Sequence, residues 1–392
     1  MNRQSTPLGR FSDSKPHFNI LDGLRGAAAL MVVWYHVFEG FAFASGGAIE
    51  TFNHGYLAVD FFFMLSGFVI SYAYDGRWGK GSEESGNKLS GKGFTIWSFF
   101  KRRLIRLHPM VVMGAVIGTI SFLASGSLRW DGETTSFGWV LLAMLMGMCL
   151  IPAWPGAGFD VRGNGEMYSL NGPTWSLFFE YIGNILYAVF IRKLSGKGLA
   201  ILAAILGVAL GWFAITDVSG YGMIGVGWTL DAVNFFGGLV RMLFPFTLGM
   251  VLARNFKPLK VRGIFWIAAA ALFVLFSVPY IPACREICLN GAYEIACISL
   301  IFPIILWLGA SGATTDKFST ATCNFLGALS YPLYVVHYPV MYLFYQWLIK
   351  EKIYTLGECW PVVLCVMGIS LALAWVSLKF WETPIRKWLG RK

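Results

Sequence analysis

Residues 20–40 read ILDGLRGAAALMVVWYHVFEG, an apolar run close to the roughly 20 residues with which a helix crosses a lipid bilayer. Ten further apolar runs follow it, at about 57–74, 108–125, 137–152, 174–192, 199–216, 233–253, 263–281, 293–310, 326–349 and 360–380. No internal repeat and no soluble domain longer than a loop is evident between these runs. The sequence therefore predicts an all-α, polytopic membrane helix bundle.

The composition indicates the same class of protein. Of the 392 residues, 56% are hydrophobic and 13% are charged, whereas a soluble protein carries about a quarter charged residues. The net charge of +10 comes from Lys and Arg residues that cluster in particular loops, which is typical of the positive-inside bias of membrane proteins. Nucleic-acid binding is therefore not expected, and membrane lipids are the surroundings that the composition implies.

The distribution of basic residues predicts the side of the membrane on which each loop lies. The segment 75–107 contains eight Lys or Arg residues and the preceding loop 41–56 contains none, so 75–107 is placed in the cytoplasm. The N-terminal segment 1–19 is then cytoplasmic as well, and its polar character does not resemble a cleavable signal peptide. The first apolar run is therefore interpreted as a permanent span.

The basic segments nearer the C-terminus agree with this orientation only if one apolar run does not cross the membrane. Loops 192–198 and 254–262 and the tail 383–392 are all basic, so all three should be cytoplasmic. The run 137–152 is short and ends next to prolines, and it is interpreted as re-entrant or interfacial. The prediction is about ten transmembrane helices within a membrane domain over 20–382, with both termini cytoplasmic.

Two local segments give narrower predictions. FTIWSFFKRRLIRL (94–107) predicts a short, basic, amphipathic helix lying on the inner face of the membrane. The seven cysteines include no zinc-like CxxC pair, so no metal site is predicted. Cys284 and Cys288 share one short loop, and a disulfide between them is possible if that loop faces an oxidising space.

Ionisable side chains within the apolar runs are candidates for function, because charge is costly inside a bilayer. His36 follows Arg25 by eleven residues, which places it roughly 16 Å deeper and near the midplane if Arg25 lies at the inner surface. His337 lies at similar depth on the tenth apolar run, where Pro332 and Pro339 are expected to kink the helix. Glu180 lies about two turns in from the outside on the fifth apolar run. These side chains could converge in one polar cavity.

Each of these residues also has a purely structural interpretation. A buried histidine can simply hydrogen-bond a neighbouring backbone group. This structural interpretation is favoured more for His337 than for His36. Glu180 can be the partner of a buried arginine or tyrosine. Asp60 lies nearer the outer surface and is as well explained as a helix-end residue.

A second candidate cluster lies at the cytoplasmic end of the bundle. Asp22 and Arg25 stand where the first helix enters the membrane, and Arg103 and Arg106 are three residues apart on one helix face. Arginine matches phosphate oxygens, so the cluster suits a polyanionic ligand, whereas contact with anionic lipid headgroups is the alternative.

A histidine in the membrane and a phosphate-binding cluster together suggest acyl transfer. Neutral imidazole can take the proton of a hydroxyl, which typically contributes about 10²–10⁴-fold in rate. It can alternatively accept the acyl group itself and pass it on. Either chemistry suits a coenzyme A thioester, which would be a donor substrate and not a permanently bound cofactor.

The motifs that contain these residues resemble those of the acyltransferase-3 family, polytopic enzymes that acylate bacterial surface glycans. They are LDGLRGAAALMVVWYH (21–36), VDFFFMLSGFVIS (59–71), RRLIRLHP (102–109), TWSLFFEY (174–181), LSYPLYVVHYPV (329–340) and WETPIRKWL (381–389). The resemblance implies an enzyme of the bacterial cytoplasmic membrane. It would move an acyl group, usually acetyl, from cytoplasmic acyl-CoA to a carbohydrate or glycolipid hydroxyl on the other side.

The resemblance also implies roles for individual residues. His36 would be catalytic, with Glu180 in a catalytic or acceptor-side role. The donor-binding residues would be Arg25, Arg103 and Arg106, and supporting roles would fall to Asp22, Asp60, Ser66, Trp175 and His337.

The chain departs from longer family members in having no hydrolase-like domain after its last span. Any acceptor specificity that such a domain supplies is therefore expected to be absent or to come from a separate protein. Loops 153–173 and 217–232 are then the expected acceptor-facing surfaces. The alternative function is a proton-coupled transporter or flippase of a lipid-linked sugar or organic anion. Paired repeats, common in transporters, are not evident here. A scaffolding role would leave the buried ionisable residues unexplained.

Overall fold

The computed structural model describes residues 18–47, 53–78, 94–282 and 287–391, and within these ranges the chain is mainly helical. The helices are α1 (Asn19–Ala44), α2 (Ala58–Tyr74), α3 (Ile96–Ala124), α4 (Phe137–Met148), α5 (Thr174–Val189), α6 (Gly196–Ile215), α7 (Ala232–Asn255), α8 (Ile264–Ser277), α9 (Leu289–Ala296), α10 (Phe302–Ser311), α11 (Lys317–Glu351), α12 (Leu356–Ser377) and α13 (Thr383–Gly390). Two-residue strands, β1 (Val261–Arg262) and β2 (Gly312–Ala313), pair in parallel. The predicted all-α class is confirmed.

In the described ranges, eight helices are long and apolar enough to cross a membrane. One of these spans, Leu289–Ser311, joins α9 to α10 through a π-helical turn, and another, Leu356–Gly390, joins α12 to α13 in the same way. Two further predicted crossings correspond to α8, which has 14 residues, and to α11, which has 35 but is less apolar. The protein is therefore an integral membrane protein, and the number of ten crossings stays a prediction.

Helix α4 is the short element within the run 137–152. Its 12 residues extend over about 18 Å, well below the roughly 30 Å thickness of the hydrocarbon core. The placement of this segment as re-entrant or interfacial stays a prediction.

The prediction of a separate surface helix over 94–107 is wrong. Helix α3 begins at Ile96, where Thr95 and Ser98 cap it, and continues through Pro109 to Ala124. Phe99, Arg103 and Leu107 are buried, as are Met110 and Val111 further along. This packing on both sides of the proline holds one continuous helix, so tertiary contacts override the local tendency of Pro109 to interrupt it.

The most extensive helix pair in the described ranges is formed by α1 and α11. A side chain on Gly26 would meet the backbone oxygen of Leu326 at 2.4 Å, so only glycine allows the two backbones to approach this closely. Because the two helices stay in contact along much of their length, residues of α11 face those of α1 at several depths. This pair carries Arg25 and the two intramembrane histidines, His36 and His337.

The two loops expected to face the acceptor are joined to one another. The Met167 backbone N–H donates to the Trp228 carbonyl oxygen at 2.8 Å, and Glu166 and Thr229 form an isolated antiparallel bridge. The segments 153–173 and 217–232 therefore form one continuous surface. The Tyr342 hydroxyl of α11 donates to the Glu166 carboxylate and fastens this surface to the bundle.

Candidate active site

His36 is paired with a carboxylate one turn along its own helix. Its Nδ1 lies 2.6 Å from Oε2 of Glu39, and the spacing of three residues puts both side chains on the same face of α1. A carboxylate at this distance can only accept a hydrogen bond, so the proton of the neutral imidazole is on Nδ1 and the lone pair is on Nε2. None of the described residues forms a hydrogen bond with Nε2, and 13% of the His36 side chain remains exposed. His36 is therefore arranged to take a proton at Nε2.

Three tyrosines surround the Glu39 carboxylate. The Tyr345 hydroxyl lies 2.8 Å from Oε2, the Tyr338 hydroxyl 3.3 Å from Oε2, and the Tyr35 hydroxyl 3.4 Å from Oε1. Tyr345 is also within 2.7 Å of the His36 carbonyl oxygen. Hydroxyl donors stabilise the ionised carboxylate, and the ionised carboxylate in turn orients the imidazole.

His337 lies beside His36, as the sequence predicts. The centroids of the two imidazole rings are 5.2 Å apart, and His337 is completely buried. Its Nδ1–H donates to the Leu333 carbonyl oxygen at 2.9 Å, so the backbone interaction weighed as the alternative is also present. Its Nε2 has no hydrogen-bond partner within the described chain. The site therefore contains two imidazoles with free Nε2 atoms.

Glu180 is not the carboxylate bonded to these histidines. It accepts hydrogen bonds from Arg103 at 2.7 Å and from the Ser66 hydroxyl at 3.0 Å. The structure therefore shows the alternative interpretation, in which Glu180 is the partner of a buried arginine. Position along a helix predicts depth, but it does not predict which neighbouring helix a side chain faces, and here α5 turns Glu180 towards α2 and α3.

The predicted arginines form a partly neutralised cluster. Arg25 contacts Asp22 at 3.1 Å, the Ser330 hydroxyl at 2.8 Å and the Gly327 carbonyl oxygen at 3.1 Å. Arg103 is buried and pairs with Glu180, as described above, while its Nε has no partner in the described ranges. Arg106 is close enough to act electrostatically on Arg25, yet it is exposed and makes no hydrogen bond or ion pair with any described residue.

Comparison with known proteins assigns the chain to a family. The profile of the acyltransferase-3 family, an acyltransferase domain, matches residues 18–379, which is nearly the whole chain. The chain belongs to the acyltransferase-3 family. This membership confirms the resemblance and identifies the protein as a membrane acyltransferase, which argues against the transporter alternative.

Relatives of this family member include named O-acetyltransferases. It is 31% identical over 206 residues to protein 2 in the picA locus of Rhizobium radiobacter, covering 51% of this chain and 96% of that protein. It is 27% identical to the peptidoglycan O-acetyltransferase OatA of Listeria monocytogenes, covering 95% of this chain and 56% of OatA. It is 23% identical to the acyltransferase MdmB of Streptomyces mycarofaciens, covering 95% of this chain and 92% of MdmB. The chain thus spans little more than half of OatA, and no solved structure matches it.

Asp60 and Trp175 belong to a separate buried network of this acyltransferase. The Asp60 carboxylate accepts from Arg241 at 2.9 Å, and the Arg241 guanidinium lies 5.3 Å from the Trp175 ring centroid. Asp60 lies in the first turn of α2, so it is a helix-end residue, and it is fully buried. The pair joins α2 to α7, and its polar atoms are satisfied, which indicates a structural role.

Glu39 is the residue of this site that sequence reasoning missed. The sequence does predict this contact, because a carboxylate three residues after a membrane histidine lies on the same helix face. Glu166 carries no such signal, since only the folded loop brings it to Tyr342. Burial raises the pKa of Glu166 from its ordinary value of 4.5 to about 7.

Two predictions concern metal and disulfide sites. Across the described part of the acyltransferase, no three His, Cys, Asp or Glu side chains are grouped closely enough to hold a metal ion. Cys284 lies outside the described residues, whereas the Cys288 sulfur accepts a hydrogen bond from the Gly291 backbone at 3.3 Å and caps α9.

Proposed function

We propose that this acyltransferase moves an acetyl group from cytoplasmic acetyl-CoA to a hydroxyl of a carbohydrate or glycolipid on the other side of the membrane. The observation that carries this proposal is the His36–Glu39 pair, which leaves Nε2 of a membrane-embedded imidazole free. Its support from relatives is the O-acetyltransferase activity in the name of OatA. Its location would be the bacterial cytoplasmic membrane.

In the mechanism that we favour, His36 acts as a general base. Nε2 takes the proton of the acceptor hydroxyl while the hydroxyl oxygen attacks the thioester carbonyl carbon. The carbon–sulfur bond then breaks, and the departing thiolate takes the proton back from His36. Glu39 stabilises the imidazolium that exists between these two steps, because its carboxylate lies 2.6 Å from Nδ1.

The alternative mechanism uses His36 as an acyl carrier. Nε2 attacks the thioester carbonyl carbon, the CoA thiolate leaves, and the acceptor hydroxyl later displaces the imidazole from the acyl group. The two routes differ in one observable, because only the second forms a covalent acyl-enzyme in the absence of acceptor.

The donor would bind at the cytoplasmic arginine cluster. Arg106 is the best candidate for contact with a CoA phosphate, since it is exposed and no described side chain neutralises it. Arg25 and Arg103 already have carboxylate partners, so we assign them mainly to organising the cluster. The lipid-headgroup alternative is tested by the separate measurement of donor binding described below.

The acceptor would approach through the surface formed by loops 153–173 and 217–232. This surface is attached to the histidine site through α11, because Tyr342 bonds Glu166 and Tyr338 contacts both Glu39 and His36. A separate protein that presents the acceptor is compatible with this arrangement. The relative OatA is named a peptidoglycan O-acetyltransferase, which supports an acceptor of the carbohydrate class.

The test is thiol release from acetyl-CoA by the purified protein in nanodiscs with crude cell-envelope glycan. His36→Ala should abolish release, by about 10²-fold or more, while acetyl-CoA still binds and the protein stays monodisperse. Release that survives in His36→Ala would exclude the mechanism. A second arm uses radiolabelled acetyl-CoA without acceptor and a rapid quench in cold, neutral denaturant, because an acyl-imidazole is hydrolysed quickly in acid. Label retained on wild-type protein but not on His36→Ala indicates the acyl-histidine route, and no retained label indicates the general-base route.

A further inference from the structure

A buried arginine in the loop between α4 and α5 lacks partners for most of its donors. The Arg162 Nε–H donates to the Ser169 carbonyl oxygen at 2.8 Å, but Nη1 and Nη2 form no hydrogen bond with any described residue. Only 1% of Arg162 is exposed, so bulk water does not satisfy these atoms. A buried donor without a partner destabilises the fold, and more so when it is charged.

Aromatic rings surround the Arg162 guanidinium. Its carbon lies 3.6 Å from the Tyr342 ring centroid, 4.8 Å from that of Phe122 and 5.2 Å from that of Trp130. Cation–π contact offsets part of the cost of burying the charge, but ring faces accept none of the N–H groups that lie in the guanidinium plane. The Nη1 and Nη2 groups of Arg162 therefore still lack hydrogen-bond acceptors.

Trp130 adds a further donor in the same place. Its Nε1–H is buried and has no partner in the described chain, and its backbone N–H donates to the Arg162 carbonyl oxygen at 3.1 Å. The two side chains thus come from segments that are hydrogen-bonded together, so they form one cluster of unpartnered donors. Clusters of this kind in a native fold call for an unseen acceptor.

The neighbouring carboxylates do not supply that acceptor. Glu166 accepts from the Tyr342 hydroxyl and from Asn164 Nδ2 at 3.0 Å, and its raised pKa of about 7 leaves it partly neutral near neutral pH. Asp160 accepts from the Gly163 and Gly165 backbone N–H groups at 3.3 Å and 2.8 Å. Arg162 therefore has no full counter-ion among the described side chains that surround it.

We propose that Arg162 and Trp130 form a binding site for an anionic oxygen group of the acceptor, either a sugar carboxylate or the phosphate of a lipid carrier. A guanidinium with two free Nη atoms matches the paired oxygens of such groups, and the indole N–H adds a third donor. The assignment of this ligand to the acceptor rests on the proposed function, while the anion site itself rests on the contacts above.

The position of the cluster relative to His36 supports this assignment. Tyr342, which stacks on Arg162, lies 4.6 Å from Tyr338 between ring centroids, and Tyr338 lies 4.7 Å from His36. Three successive contacts, through the rings of Tyr342 and Tyr338, therefore connect the anion site to the His36 imidazole. The site would make acidic or phosphate-bearing acceptors preferred over neutral ones.

Binding measured without donor tests this proposal independently of acyl transfer. The probes are tetragalacturonate and its methyl ester, which share a backbone and differ in charge, and inorganic phosphate as competitor, all with the full-length protein in nanodiscs. We expect tetragalacturonate to bind about tenfold to a hundredfold more tightly than the ester. Arg162→Gln should remove this preference, and Trp130→Phe should weaken it about threefold to tenfold while keeping the aromatic ring.

Arg129→Gln is the matched control. Arg129 lies against Gly163 in the same region, but it is partly exposed and already pairs with Asp131 at 3.0 Å, so its loss should leave the preference intact. Arg162-dependent binding of phosphate, with acid and ester binding equally, would assign the site to a lipid-carrier phosphate. The proposal is overturned if neither anion binds in an Arg162-dependent way, or if Arg129→Gln has the same effect as Arg162→Gln. Either result would leave the acyl-transfer proposal standing.

Discussion

Glu39→Gln is expected to reduce turnover strongly while leaving donor binding unchanged. Glutamine has nearly the same shape as glutamate, so the change removes the negative charge with little change in volume. The amide can present either its oxygen or its NH₂ group to Nδ1 of His36, and the tautomer with a free Nε2 is no longer enforced. The imidazolium formed during the reaction also loses its counter-ion.

The magnitude follows from the contact that is lost. A hydrogen bond to a charged group contributes roughly 1.5–3 kcal/mol, and each 1.4 kcal/mol corresponds to about a factor of ten. We therefore expect kcat to fall about tenfold to a hundredfold. An upper limit of about 10⁴-fold comes from serine-protease triads, in which the equivalent acid-to-amide change leaves the wrong tautomer.

The assay is thiol release from acetyl-CoA with envelope glycan, in which kcat and the KM for acetyl-CoA are determined separately. The KM should stay within about twofold, because the effect on kcat alone marks an interaction used in the transition state. Tyr345→Phe is the graded control: it removes one hydroxyl near Glu39 but keeps the carboxylate, so its kcat should fall less than about tenfold. Retention of more than half the wild-type kcat by Glu39→Gln would refute the role assigned to Glu39. A rise in the KM for acetyl-CoA that accounts for the whole loss of kcat/KM would refute it as well.

Two further predictions concern the two ends of the molecule. Arg106→Ala should raise the KM for acetyl-CoA about tenfold with unchanged yield of folded protein. Arg103→Ala should also lower the yield, because the partly buried Glu180 would lose its cationic partner. Equal loss of donor binding and yield in the double variant would instead favour lipid anchoring. Glu166 has a raised pKa of about 7 in the folded protein, so the fold binds its proton more tightly than the unfolded chain does, and stability should decline as the pH rises from about 4.5 to about 7. The melting temperature of Glu166→Gln should lack this decline, and an identical pH dependence in both proteins would contradict the assignment.

Much of the architecture could be predicted because lipid imposes simple demands on the sequence. Backbone groups in a bilayer must be satisfied within a helix, so long apolar runs identify helices directly. The depth of His36 and His337 follows from the rise per residue, and the structure confirms that they meet. Helix boundaries were less certain, as α3 shows, since the burial of Arg103 and Leu107 carries that helix through Pro109.

The functional partners were harder to predict, because they depend on the rotation of each helix about its axis. Glu180 has the depth for a shared site, but its azimuth points it to Arg103 and Ser66. Glu39 was accessible from sequence, since a contact within one helix needs only the spacing of three residues. The Arg162 cluster was not, because its members meet only after the outer loop has folded onto α11.

The sequence by itself determined the membrane class, the succession of helices, the family and the histidine at its centre, all of which follow from local hydrophobicity and linear spacing. Only the tertiary structure decided that Glu180 faces Arg103 and not His36, which arginine is left uncompensated and where unpartnered donors collect. The physical reason is that lipid selects helices one segment at a time, whereas pairing between side chains depends on close helix contacts such as that at Gly26. Such contacts join residues that are hundreds of positions apart in the chain.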